Sequence, residues 1–500
     1  MRCGETETYG IVMTSKNQLL RRLAARAGLI STVLAGITAG ALAQTTPGKV
    51  RMPEETPASL SRTEELRAGP IRLKFADGEL RYLYVGDREI IRRIYFAVRN
   101  GGWETATPVF TQMDVQSRKD SFTVHLKADC TTVAADYHWT AIIEGTPTGR
   151  ITFHATGTSG QAFRSNRIGL CVLFGAPALA GHGFETTGET GATLGGAFPE
   201  YVSPQLVAGK FRALRYKTPD GMAVTTSIGG TLFDMEDQRT YDDSSYKAYA
   251  PVAYAYPNIP AGTPAEESVT VSVENVPAHA AIPSDVTEIR LGKILPEVRL
   301  PKIEVIDAAG RGGIFGDVNG RRERYAGAKT VTWGFAPSIH LLDNDTFFEN
   351  VWSLPDQVRS AHAYAPGASI VLDPIVINSH ARKPEDDRRN GNTVGAAWSA
   401  SLIREMAIAG VAEGRFGMGP GLASALQTEL AAYAGKPLYA TTITGPLPSP
   451  VDVLAIDVGG KPLVYLINRS EKPRKAVWHG ATGSVRALSL APYEVRKITD

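Results

Sequence analysis

The stretch Phe233-Asp-Met-Glu-Asp-Gln-Arg-Thr-Tyr-Asp-Asp-Ser-Ser-Tyr-Lys247 sets five carboxylates, an arginine, a lysine and two tyrosines between strand-like apolar segments. Charges this dense are either solvated or joined in a hydrogen-bonded network of definite geometry, and rings among them favour the network or a sugar-like ligand. Two readings follow. In one the run is a polar network that docks one domain on another; in the other Glu236 and Arg239 bind a substrate.

Working outward, residues 71 to 276 show short alternating or β-branched runs such as Ile71-Arg-Leu-Lys-Phe75, Ser121-Phe-Thr-Val-His-Leu126 and Ser268-Val-Thr-Val-Ser-Val273. Gly, Pro and Asp turns separate them, and no long helical period interrupts. That pattern predicts an antiparallel β-sandwich over 66–290. Near Pro296 the pattern changes. Lys302-Ile-Glu-Val-Ile306, Lys329-Thr-Val-Thr-Trp-Gly-Phe335 and Ala368-Ser-Ile-Val-Leu-Asp-Pro-Ile-Val-Ile377 read as strands. Between the last two, Phe347, Phe348, Val351, Leu354, Val358 and Ala361 give Asp345 to Tyr364 one buried helical face, with Pro355 as a kink. Ala396 to Ala409 repeats the theme with Trp398, Leu402, Ile403 and Met406. Strands alternating with helices predict a parallel α/β domain over 291–450. Beyond it, Val451-Asp-Val-Leu-Ala-Ile-Asp457, Leu463-Val-Tyr-Leu-Ile-Asn468, Lys475-Ala-Val-Trp-His479 and Ser484-Val-Arg-Ala-Leu-Ser-Leu490 predict a small antiparallel β-domain over 451–500.

The opening run resembles part of a known family when read with its neighbours. Together with Ser165-Asn-Arg-Ile-Gly-Leu-Cys-Val-Leu173, Phe198-Pro-Glu-Tyr-Val-Ser-Pro204, Phe211-Arg-Ala-Leu-Arg215, Leu66-Arg-Ala-Gly-Pro70, Leu80-Arg-Tyr-Leu83 and Asp87-Arg-Glu-Ile-Ile-Arg-Arg-Ile-Tyr95, it is similar to the N-terminal region of the D-apionate lactonases. The resemblance implies a β-sandwich, then a TIM-type barrel, then a small β-domain, and an enzyme that opens a sugar-acid lactone. Trp333-Gly-Phe-Ala-Pro-Ser-Ile-His-Leu-Leu-Asp343 and Gly395-Ala-Ala-Trp398 resemble the later half of that barrel.

The chain departs from the family in two places. The segment between Ile306 and Lys329 is too short for the earlier barrel strands, and a whole barrel needs at least ~200 residues. About five candidate strands are present, two or three fewer than closure requires. The barrel is therefore expected to be incomplete, either broken or completed by another chain. Second, Gly414-Arg-Phe-Gly-Met-Gly-Pro-Gly421 has a glycine, or Met418, where the resemblance implies a carboxylate.

Polar chemistry remains at the expected strand C-terminal ends. His340, Asp343, Asn344 and Asp345 follow one strand; Asn378, His380, Arg382, Asp386, Asp387 and Arg388 follow the next. A His-carboxylate pair deprotonates water for attack on a lactone carbonyl while an Arg stabilises the oxyanion. This makes His340, Asp343 and His380 the catalytic candidates, and Trp333, Asn378, Arg382, Glu236 and Arg239 the substrate-binding ones. The competing explanations are that Asp343 or Asn344 caps a helix and that residues 386–389 are a solvated charged loop. His340, Asp343 and His380 also suit Zn²⁺ or Mn²⁺, but the expectation is no metal and no cofactor. Trp333, Trp352 and Trp398 can stack on sugars, although helix positions favour core for two of them.

Several classes are excluded. With 53 Lys and Arg against 51 Asp and Glu, no polyanionic partner is implied, and no nucleic-acid motif is present. Gly310-Arg-Gly-Gly313 lacks P-loop or dinucleotide spacing, and no nucleophile elbow occurs. Lys16, Arg21, Arg22 and Arg26, the apolar Leu29 to Ala39 and Ala41-Leu-Ala43 predict a signal peptide over 1–43, cleaved before Gln44, with Met13 as an alternative start. It fits a Sec signal better than a twin-arginine one. A flexible linker over 44–65 follows, and the mature protein is expected in the periplasm or medium, off the membrane. Cys130 and Cys171 either pair or stay as buried thiols. Open sheet edges favour a homodimer. The expected function is an exported hydrolase acting on a small carbohydrate-derived lactone or ester; the alternative is a catalytically degenerate protein that binds a glycan.

Overall fold

Alternation of apolar and polar side chains builds the first domain. In Tyr137–Gly145 every second residue is buried, and the same holds in Phe122–Cys130. The computed structural model describes residues 61–250, 258–278, 284–307, 312–381, 383–481 and 483–499, so the expected signal peptide and most of the expected linker lie outside the described residues. Two nine-stranded sheets, antiparallel in every described pairing among these strands, form the sandwich. Their inner faces share one core in which Phe75 and Phe96 meet Phe153 and Val269. Cys130 lies in that core and Cys171 on the outer face of the first sheet, both as free thiols.

The strand Arg88–Asn100 is buried along nearly its whole length. Ile94, Phe96 and Val98 face the sandwich core, which leaves Arg93, Tyr95, Ala97 and Arg99 on the other face. Phe163–Gly175 and Ser245–Tyr249 pair beside it and add Arg167, Cys171, Lys247 and Tyr249 to that outer face. A sheet face this rich in cations is buried only because a second domain covers it.

That domain holds a four-stranded parallel sheet. Its strands are Lys302–Val305, Thr330–Phe335, Ser369–Ile375 and Glu413–Phe416, and in space the first lies beside the last. First-beside-last is the adjacency that closes a TIM barrel. The sheet is thus an open barrel segment with four strands rather than about five. Helices Leu354–Tyr364, Thr393–Ala409 and Leu422–Ala431 pack on one face, over Val331, Trp333, Leu372 and Phe416. The other face carries Lys302, Glu304, Thr332 and a ladder in which Arg415 reaches Glu413 at 2.6 Å and Asp373 at 2.9 Å. A parallel sheet covered on both sides has near-continuous apolar strands. These strands alternate, so the inner face is built for water. The edge strands present Lys302, Glu304, Thr330 and Thr332, with Val305 exposed beside them.

Pro355 sits in the first turn of Leu354–Tyr364, where a missing N–H costs nothing, and a 3₁₀ turn at Val351–Ser353 separates that helix from Asn344–Asn350. The predicted single kinked helix is therefore two helices. The C-terminal sheet has seven strands and takes in Thr287–Arg299 and Pro437–Thr444, which flank the parallel sheet in sequence. The α/β segment is inserted between two strands of this sheet. Leu454, Ile456 and Tyr465 join the core over which Trp398 packs.

One buried acid makes sandwich stability depend on pH. Glu267 is 4% exposed and accepts a hydrogen bond from the Leu170 N–H at 2.7 Å. Its approach requires Gly169, whose φ is +135° and where a Cβ would collide with the carboxylate. Burial raises Glu267 from 4.5 to about 7, although the Leu170 N–H pulls the other way. The folded chain then holds this proton more tightly than the unfolded chain. The resulting stability is complete below the unfolded value and is lost as pH rises through 7. In thermal melts from pH 4.5 to 8, the wild type should lose up to about 3 kcal/mol relative to Glu267→Gln. Parallel pH curves for the two proteins would refute this account.

Candidate functional site

The acidic run is a docking device. Phe233–Asp237 and Ser245–Tyr249 are paired strands joined by a 3₁₀ turn over Gln238–Tyr241. Asp237 caps that turn and holds Arg239 through two contacts of 2.9 and 2.7 Å. Arg239 is fully buried and also donates to Asp356 at 2.6 Å, to the carbonyls of Pro199 and Glu200, and lies over the Tyr246 ring. Asp242 accepts from the Ala336 N–H at 2.9 Å and from Gln357 at 2.8 Å, and Gln357 in turn accepts the Trp333 indole N–H at 3.1 Å. Glu236 accepts from the Tyr249 hydroxyl and from Gln238. Arg239 and Glu236 are thus committed to protein partners. Trp333 is core, packed edge-on against Phe315, and Trp398 is fully buried. The substrate roles expected for Trp333, Glu236 and Arg239 give way to the docking reading, because their polar groups or ring faces are already occupied.

A second network surrounds Asp343. Its carboxylate caps Asn344–Asn350 through the Thr346 N–H at 2.9 Å and receives Arg81 at 2.7 Å and Arg93 at 3.2 Å. Arg81 also reaches Glu349 at 2.9 Å, and Arg93 reaches Glu79 at 2.5 Å. Burial pushes the Asp343 carboxyl up, but Arg81 and Arg93 more than offset this and hold it well below the usual carboxylate range. Both of its oxygens are already occupied, Oδ1 by Arg81 and the Thr346 N–H and Oδ2 by Arg93 and the Thr346 hydroxyl. Asp343 is therefore a helix cap and an ion-pair anchor between the domains, which replaces the catalytic role expected of it.

His340 and His380 line one cavity of about 230 Å³ at the C-terminal ends of Thr330–Phe335 and Ser369–Ile375. Glu79, Arg93, Thr105, Pro108 and Phe110 close its other wall from the sandwich. His340 Nδ1 lies 3.4 Å from Asp243 Oδ2 without completing a hydrogen bond, and the ring meets Tyr241 edge-on. Burial and the cations Lys247, Arg99 and Arg167 push the imidazole well below its ordinary value, so it is neutral at neutral pH. His380 is exposed and contacts the Ile339 carbonyl at 3.1 Å through Nε2. Among the described residues no three His, Cys, Asp or Glu side chains converge as ligands for an ion.

Behind Thr105 stand the groups that the sequence reading missed. Arg99 donates through Nε to Thr105 Oγ1 at 3.1 Å, and Thr105 donates to the His340 carbonyl at 3.2 Å. Arg99 and Arg167 are cross-strand neighbours, and both Nη atoms of Arg99 together with Nε and Nη1 of Arg167 have no hydrogen-bond partner. Lys247 bonds only the neutral Gln238 amide oxygen, at 2.5 Å. Arg99 and Arg167, buried with few anions around them, create a positive potential beside the cavity, and burial together with these two arginines pushes the Lys247 ammonium well below its ordinary value. The signal was present in Arg93-Ile-Tyr-Phe-Ala-Val-Arg99, where alternation sends both arginines away from the sandwich core.

Asn378 is buried and donates to Asp387 at 3.2 Å, which makes it part of the loop's scaffold. Arg382 lies outside the described residues. Asp387 and Arg389 form a buried pair at 2.6 Å, and Arg389 reaches the Leu342 carbonyl and covers the Phe347 ring, so this part of the loop is not a solvated surface. Met418 is buried in the α/β core beside Ser399 and Gln427.

Comparison with known proteins gives two family matches. Residues 52–276 match the D-apionate lactonase N-terminal domain, and residues 290–441 match the D-apionate lactonase TIM barrel domain. A D-apionate lactonase of Brucella anthropi is 26% identical over 256 residues, which cover 49% of this chain and 41% of that protein. A putative aldose 1-epimerase from Escherichia coli K12 aligns with 43% of this chain and 99% of its own at 13% identity and a TM-score of 0.29. A β-arabinopyranosidase aligns with 89% of this chain and 97% of its own at 8% identity and a TM-score of 0.27. Scores this low carry no argument about fold or function.

The Asp343 network sets a measurable expectation. Asp343→Ala removes a helix cap and leaves the buried Arg81 and Arg93 short of one carboxylate, so urea denaturation should show a loss of about 2–4 kcal/mol. A loss under about 0.5 kcal/mol, the level of an ordinary surface change, would show that the network does not hold the two domains.

Proposed function

The chain belongs to the D-apionate lactonase family, and we propose that it opens a sugar-acid lactone by attack of water in the cavity between the sandwich and the parallel sheet. The observation that carries this reading is the neutral imidazole of His340 on the wall of that cavity, backed by Asp243 and by buried cations. A neutral imidazole accepts a proton from water as the water attacks the lactone carbonyl. Asp243, 3.4 Å behind the ring, then compensates the charge that develops on it. Arg99 and Arg167 favour the negative charge that grows on the carbonyl oxygen and remains on the product carboxylate. His380, on the exposed side of the cavity, is the second group able to move a proton there, toward the departing hydroxyl.

A second reading is a glycan-binding protein without turnover. It draws support from Met418, which stands buried where the family resemblance implies a carboxylate, and from the four-stranded sheet. A proton-release assay against aldonolactones separates the two. Turnover is expected in the wild type, with kcat/KM lowered about 100-fold or more in His340→Asn. Because the imidazole is pushed well below 6.5, the base stays neutral as pH falls, and the rate should hold through pH 6 rather than halving near 6.5. No turnover from folded protein would leave the binding reading, and a normal rate in His340→Asn would remove the base assignment.

The same reading places the mature protein in the periplasm or medium, on the strength of the basic, apolar and small-residue succession before Gln44. Among the described residues no helix is long and apolar enough to cross a membrane. Mass spectrometry of the exported fraction should find a chain beginning at Gln44. An uncleaved chain confined to the cytoplasm would overturn the export proposal.

A further inference from the structure

A second, larger cavity of about 610 Å³ opens where all three domains meet, between the strands Thr63–Ala68 and Ile71–Ala76, the helix Asn344–Asn350 and the loops 446–450 and 469–474 of the C-terminal sheet. Its size is that of small-molecule sites, and domain junctions are where such sites concentrate. Nothing in the lactone-opening scheme uses it.

Its walls are charged, and the balance is one-sided. Lys74 is neutralised by Asp345 at 2.5 Å, and Glu349 is taken by Arg81 and the Tyr82 hydroxyl. Glu64 is taken by Arg62. What remains on the cationic side is Arg67, Arg72, Arg118, Lys119, Lys472 and Arg474, of which Arg72, Lys472 and Arg474 act on the carboxylate of Glu65. Against them stand Glu65, Asp285 and Glu471. Arg72 spends Nη1 on the Leu447 carbonyl at 3.3 Å and keeps Nη2 buried and unpartnered, while Arg474 has only the Ser470 hydroxyl at 2.9 Å. The whole chain carries a net charge of only +2, so this excess is local. Clefts with one dominant sign concentrate ligands of the other.

The neutral lining narrows the chemistry. Thr63 and Ser117 add neutral hydroxyl residues to the lining, which suits a polyhydroxylated ligand, whereas the hydroxyls of Ser449 and Ser470 are held by protein partners. Trp352 is on the wall, but the guanidinium of Arg92 lies 5.1 Å from its ring and that of Arg469 lies 5.2 Å, so the indole has cation partners already. A nucleobase would find no free ring to stack on. Separated guanidinium and ammonium groups, spread over both rims with hydroxyls between, match carboxylates spaced along a sugar chain.

We propose that this cleft binds an acidic oligosaccharide, a short glycan whose residues carry carboxylates. The choice of sugar rests on the carbohydrate reading above, whereas the anionic character rests on the cleft alone. The two cavities are separated by the Arg81–Asp343–Glu349 network, so the cleft is a holding site beside the reaction cavity and not part of it.

Calorimetry with trigalacturonate, with maltotriose as an uncharged control of the same length, tests the proposal on the full mature chain. The charged trisaccharide should bind and the neutral one should not, and raising salt from 50 to 300 mM should weaken binding about tenfold or more. Replacing the rim residues together, Arg118→Ser with Lys119→Ser and Lys472→Ser, should weaken trigalacturonate about tenfold while leaving lactone opening unchanged. Equal affinity for maltotriose, or undiminished binding by the triple variant, would overturn the proposal. Tight binding of inorganic phosphate with none of trigalacturonate would overturn it as well, by assigning the charge to a phosphate ligand. Binding of trigalacturonate by a protein that opens no lactone would leave this inference standing and remove the lactonase reading, and lactone opening without such binding would do the reverse.

Discussion

Arg81 lies between Asp343 and Glu349, and the docking of the sandwich on the parallel sheet depends on that placement. A guanidinium taken out of water costs several kcal/mol unless its partners are close and well aimed. Here one cation from the sandwich meets two carboxylates from the next domain, at 2.7 and 2.9 Å, while Arg93 binds the far side of the same Asp343. The Asp237–Arg239–Asp356 chain repeats the device on the opposite side of the interface. Sliding either domain by one residue would leave several buried charges unpaired. The interface is specific for that reason, whatever its net contribution to stability.

This docking compensates for the missing part of the barrel. In a closed barrel, loops from eight strands ring the site. Here the loops after Thr330–Phe335 and Ser369–Ile375 supply one wall with His340 and His380, and Thr105, Pro108 and Phe110 of the sandwich supply the other. The inner face of the sheet, freed from the need to pack, carries the Arg415 ladder instead of a second apolar layer. The cavity proposed for the reaction lies at the seam between two domains rather than on the axis of a barrel.

The electrostatics of that seam are uneven. On the Asp343 side each cation has a carboxylate. On the His340 side, guanidinium nitrogens of Arg99 and Arg167 have no partner, and burial raises Asp243 even against the cations near it. The same field that keeps His340 neutral favours negative charge in the cavity. Structural pairing and a charge imbalance thus sit a few residues apart on the same strands.

The sequence by itself determined the succession of sandwich, parallel sheet and C-terminal strands, because each is written in a local period that the backbone obeys. It also determined that the barrel is incomplete, since too few residues lie between Ile306 and Lys329, and it placed His340 and His380 at strand ends. Only the tertiary structure decided which polar residues are spent on the fold. Asp343 looks catalytic and Glu236 and Arg239 look substrate-binding in a linear string, but their partners come from strands and helices more than a hundred residues away or from the facing side of a turn. Arg99 and Arg167 look like ordinary strand arginines until another domain buries them. Charge is a local property of a residue, whereas pairing and burial are properties of what the fold brings against it.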